Sequence, residues 1–202
     1  APTSSSSTPT LYCGIRAVAD GDEADSIFET DVPAQVAVTL ADGTEAVYNV
    51  ASNDTGLGDE FDIEGYGLEG CIVTYSMDDD GIKLLAVKLD ADDTVEVGTD
   101  NDAGASLITV AGANYVVTSS TVLFNWDGSD FDVYVGKANL PEIEDDDYAT
   151  VLSSGTPMTA KVILSEGVAA PEAEEGDAIT GIVVDYEILT DANQGFTLSE
   201  AV

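Results

Sequence analysis

The chain has 202 residues, with 40 Asp plus Glu against 5 Lys plus Arg and no His, for a formal net charge of −35 at pH 7. Without histidine there is no Ser-His-Asp or Cys-His pair, no His-ligated zinc and no imidazole switch. Four lysines and one arginine cannot neutralise the phosphates that supply most nucleic-acid affinity, and the same sign repels anionic lipid surfaces, so structural, adhesive or cation-binding roles remain.

Residues 1–10, APTSSSSTPT, form a Ser/Thr/Pro leader with no side chain suited to a core, the composition of a flexible or O-glycosylated tract on an exported protein. Ala1-Pro2 would suit a mature terminus left after export. No run approaches the ~18 apolar residues of a membrane helix, so membrane insertion is not expected.

From residue 11 the pattern is that of strands. Residues 36–50, VAVTLADGTEAVYNV, alternate apolar and polar positions on both sides of Asp42-Gly43, a dipeptide suited to a tight hairpin turn. Val36, Val38 and Leu40 then share a face with Ala46, Tyr48 and Val50. The stretch 71–89 repeats this grammar around Asp80-Gly81. Further hairpins are expected over 106–118, turning near Gly112, over 121–135, turning at Asp127-Gly128, and over 148–165, around Ser154-Gly155. Helical periodicity is weak throughout. The expected fold is all-β, with short antiparallel strands in two small barrel- or sandwich-like domains. Composition shifts divide the chain into a leader (1–10), a first β domain (11–90), an acidic linker (91–104), a second β domain (105–166), a second acidic linker (167–178) and terminal strands (179–202), the last suited to exchange between subunits.

The order of a Tyr-x-Gly-Ile strand, an ADGTE hairpin, a Gly-x-Ile-Val-x-Tyr strand, a DDDG turn, then ITVAGANYVVTSSTVLFNWDG and LPEI…ATVL resembles the β-rich repeats of bacterial surface proteins that carry S-layer homology domains. The helical anchoring domain itself is not seen in this sequence. The resemblance implies an extracellular structural role and carries no catalytic residues with it.

In that setting Cys13 and Cys71, each at the start of an apolar strand, invite a disulfide in an oxidising compartment, against the alternative of two buried thiols. Carboxylates at Asp20, Asp22 and Asp25, at Asp127, Asp130 and Asp132, or in the run Asp145-Asp146-Asp147 are candidate Ca2+ ligands by type. Ser76-x-Asp78-x-Asp80-Gly81 imitates the front of an EF-hand loop, but Val87 stands at its twelfth position and a hairpin tip explains it better. Trp126, with Tyr115 and Tyr134, is either a glycan-binding platform or a packing contact. Asn53 opens an N-glycosylation sequon. A glycosidase needs only two carboxylates, yet nothing selects a pair among 40 acids, and no catalytic residue is assigned.

These readings converge on a secreted or cell-surface structural protein, a surface-layer or filament subunit that associates with itself. An adhesin or carbohydrate-binding module and a virion decoration protein are the alternatives.

Overall fold

The computed structural model describes residues 9–23, 30–51, 56–58 and 60–168. The chain divides into two compact units, Ala1–Ala170 and Pro171–Val202, and all described residues lie in the first. Asp25, Asn53 and the terminal strands expected over 179–202 fall outside the described residues.

The protein is all-β, as its alternation requires. Five strands, β1 (Leu11–Ala19), β2 (Gln35–Leu40), β3 (Glu45–Asn49), β4 (Ile72–Asp78) and β5 (Gly81–Leu89), form a first sheet in the order β3-β2-β1-β4-β5. The Asp42-Gly43 turn forms where alternation breaks. Asp42 accepts the Thr44 N–H (2.9 Å), and Gly43 takes a φ of 83°. Val36 then stands opposite Tyr48 and Val38 opposite Ala46, so the expected facing residues meet in one core with Cys13, Ile15, Ile63, Cys71, Val73 and Leu84.

The β4–β5 turn differs from expectation in one respect. Asp78 pairs with Gly81, so Asp79 and Asp80 make the turn and Gly81 already belongs to β5. Its glycine serves a close approach instead, because a Cβ there would clash with the Asn49 carbonyl oxygen. That approach lets Val50 bridge Ile82 in parallel and Ala51 donate to the Ile82 carbonyl (2.9 Å). The sheet thereby bends toward closure as a five-stranded, partly open barrel.

The second sheet contains β6 (Val95–Glu96), β7 (Leu107–Val110), β8 (Ala113–Val116), β9 (Val122–Trp126), β10 (Phe131–Val135), β11 (Tyr148–Ser154) and β12 (Thr159–Glu166). Its main path is β10-β9-β12-β11-β6, with β7 and β8 attached through β8 to β12. The hairpins are antiparallel, but β12 runs parallel to both β8 and β9. A parallel neighbour buried on both sides suits the continuous apolar run Val162-Ile163-Leu164. Ile163 enters a second core with Ile108, Leu123 and Ile143, while Val162 and Leu164 face the first sheet.

Residues 91–104 do not form a free linker. Ala91 is buried, Val95-Glu96 pairs with β11, and Val97 is fully buried. Asn101 is also buried, and its side chain binds Thr99 and Thr109 through three hydrogen bonds. A buried amide with this many partners fixes its loop as firmly as a core residue does.

A third apolar cluster joins the sheets. Ile72, Leu89 and Ala91 meet Phe124, Phe131, Val162 and Leu164. Phe131 packs edge-on to Phe124 (centroids 5.9 Å apart) and lies 4.6 Å from Trp126. A Cβ on Gly14 would come within 2.6 Å of the Phe131 ring, so the glycine of the Tyr-x-Gly-Ile strand is the notch in β1 that receives this ring.

Candidate functional site

The sole arginine lies at the junction of the two sheets. The register of β1 against β2 skips from Ile15 to Ala17, making Arg16 the extra residue of a bulge, a device that re-aims a side chain. Its Nη1 lies 3.0 Å from Glu45 and 2.8 Å from Asp130, across 114 residues of sequence in the latter case. In the sequence Arg16 stands out only by its charge. A lone arginine inside an apolar strand start, next to Gly-Ile, was the available signal.

This ion pair also accounts for one of the candidate metal trios. Asp130 is held by Arg16, and Asp127 accepts the N–H groups of Ser129 and Asp130 (both 2.8 Å) and the Ser129 hydroxyl (2.9 Å). Those donors, the Asp130 N–H foremost, lower the Asp127 pKa. Asp132 pairs across the strands with Asn125. Asp127 is therefore the cap of its own turn. Asp20 likewise accepts the N–H groups of Ile63 (2.7 Å) and Glu64 (2.8 Å), which depress its pKa, the Glu64 bond most. Asp22 bridges Val32 through its backbone. Among the described residues no three Asp, Glu, Cys or His side chains are grouped so as to hold a metal ion, so the Ca2+ site expected at Asp127, Asp130 and Asp132 is not assembled, while the trio Asp20, Asp22 and Asp25 includes a residue outside the described ones.

The run 145–147 is an acidic corner. The Asp145 N–H donates to Asp100 (3.0 Å), and the Glu144 N–H donates to Asp147 (2.8 Å). The Asp146 charge raises the Glu144 pKa, and burial raises that of Asp147.

Cys13 and Cys71 are free, buried thiols, in place of the expected disulfide. Cys13 stands opposite Val73, and the Cys71 carbonyl accepts the Ile15 N–H (2.9 Å). The two side chains thus share the core face but occupy diagonal positions. Diagonal neighbours lie about 7–8 Å apart, beyond the about 4.4–6.8 Å usual between bridged Cα atoms. Burial pushes both thiols up to about 12, with the Asp90 charge adding to the effect at Cys71.

Trp126 is half-buried in the junction, packed on Phe131 and against Gly70. It also lines a groove of about 590 Å³ with Asp127, Asp132 and Glu166. Tyr115 and Tyr134 pack on the second core, and burial raises the Tyr134 pKa. All three aromatics thus pack on apolar clusters, Trp126 at the junction and Tyr115 and Tyr134 on the second core.

A larger cleft of about 940 Å³ opens between the sheets. Tyr12 and Tyr75 come from β1 and β4, Asp42 from the β2–β3 turn, and Ser120, Ser154 and Lys161 from the second sheet. Lys161 is the residue skipped between Ser153↔Ala160 and Leu152↔Val162, a bulge like that of Arg16. Sequence reasoning missed this cleft because its two walls are far apart in the chain.

No protein-family model matches the chain, and comparison with curated proteins and with solved structures finds no match either.

Proposed function

We propose that this protein is an extracellular structural subunit, a component of a surface layer or filament that works by self-association and without catalysis. The observation that carries the reading is the fusion of two β-modules by a shared apolar junction and one arginine clamp. Such a junction transmits load between modules better than a flexible linker does, because interiors packed at this density resist deformation. The resemblance to surface-protein repeats points the same way.

Assembly needs a free edge. β10 is the terminal strand of the second sheet's main path, and the alternating sequence ITGIVVDYEILT at 179–190 is suited to pair with such an edge on another copy. Strand addition supplies main-chain hydrogen bonds largely independent of side chains. With 40 carboxylates on the chain, assembly should strengthen with salt or Ca2+, which screen repulsion between copies.

Electron microscopy of the purified chain with and without Ca2+, beside a variant lacking residues 179–202, tests the reading. Ordered polymers of the full chain, lost in the shortened form while its circular dichroism stays β-rich, are expected. A full chain that remains monomeric under every salt condition overturns it.

A further inference from the structure

We infer that the cleft between the two sheets is a saccharide-binding site. The inference goes beyond self-association, since it requires only the single unit that contains both sheets. The cleft's volume, about 940 Å³, is within the range of small-molecule sites, which favour the junctions between modules.

Its lining points to the class of ligand. Tyr12, packed on the junction cluster, and Tyr75, packed on the first core, are both half-buried and both line the cleft. Ser120 and Ser154 add exposed hydroxyls from the opposite wall. A sugar ring offers apolar C–H faces and a rim of hydroxyls that donate and accept, which is the complement of such a surface.

The charges narrow the choice. Lys161 is exposed and has no ion pair among the described residues, although the chain carries 40 carboxylates. Asp42 lines the same cleft and forms no ion pair with it. The Asp42 carboxylate holds the Thr44 N–H at 2.9 Å and keeps acceptor capacity beyond that bond. A strong donor and a strong acceptor that do not satisfy each other leave room for a ligand that answers both. Sugar hydroxyls do so without net charge. A phosphorylated ligand would meet one lysine in a strongly negative field, and a wholly apolar ligand would desolvate Lys161 and the hydroxyls without replacing their hydrogen bonds.

The test is a glycan array probed with the full chain, followed by calorimetric titration of the oligosaccharide it selects. Lys161→Gln and Tyr12→Ala are each expected to weaken binding at least tenfold. Ser120→Trp, which fills the cleft from an exposed position, is expected to abolish it. Lys137→Gln, outside the cleft, should leave it unchanged. If Tyr12→Ala fails to fold, the exposed Lys161 and Ser120 variants decide. Absence of binding across the array, equal binding by the Lys161 and Ser120 variants, or selection of peptides in place of glycans by this cleft overturns the inference. Because these readouts follow glycan binding at a cleft within one unit and not assembly, their failure leaves polymer formation untouched.

Discussion

The two sheets solve the same problem in different ways. In the first, three of the four neighbouring pairs are consecutive strands; β1–β4 is the remaining pair, and the Val50–Ile82 bridge draws β3 toward β5. In the second, three hairpins are held together by β12, which lies parallel to β8 and β9 and sends Ile163 to one core and Val162 and Leu164 to another. The first sheet depends on a backbone approach at Gly81, whereas the second depends on side-chain volume in a strand buried on both faces. Damage to the first should therefore stay local, and damage to the second should spread through the junction.

The strongest way to break that contrast is Phe124→Ala. Phe124 is fully buried and contacts Phe131 at the junction, so its loss is expected to cost about 3–5 kcal/mol in denaturant unfolding. If the junction couples the sheets, hydrogen exchange will rise in both. Acceleration confined to the second sheet would show that they unfold independently. Gly81→Ala comes next, at about 1–3 kcal/mol, because the new methyl would meet the Asn49 carbonyl and force the barrel closure apart. Faster exchange at the Ala51 amide, with the second sheet unchanged, is the expected signature.

The smallest effect lies in the acidic corner. Glu144 has its folded pKa raised, chiefly by Asp146. A raised folded pKa means that ionisation opposes folding: the favourable contribution is complete below the unfolded pKa and is lost as pH rises through the folded value. Glu144→Gln should therefore raise the Tm slightly at pH 7, and the gain should shrink as the pH falls below the ordinary carboxylate range. A difference that stays constant with pH would show that the charge is not the cause.

How much was legible in the sequence follows the same division. Hairpins with an Asx-Gly turn between alternating strands declared themselves, because turn chemistry and period-2 burial are local properties. The facing pairs Val36–Tyr48 and Val38–Ala46 follow from them directly. The parallel β9–β12 pairing did not, since Val162-Ile163-Leu164 gives no alternation and its partner lies about forty residues away. The acidic stretch 91–104 reads as a linker because its charges outnumber Ala91, Val97 and Asn101, the three residues that bury it. The candidate sites misled for a related reason. Asp20 and Asp127 are turn and loop caps whose ligands are backbone N–H groups, and composition cannot distinguish an acid that seeks a cation from one that holds its own chain. Arg16 and Lys161 owe their positions to bulges, which no alternation rule anticipates.

The two buried thiols have a practical consequence. A thiol must ionise to be alkylated, and with both groups pushed up to about 12 inside the first core, labelling at neutral pH must wait for the barrel to open. Cys13 and Cys71 are thus a built-in clock. Their alkylation rate, divided by that of an unstructured thiol, gives the fraction of time the barrel stands open.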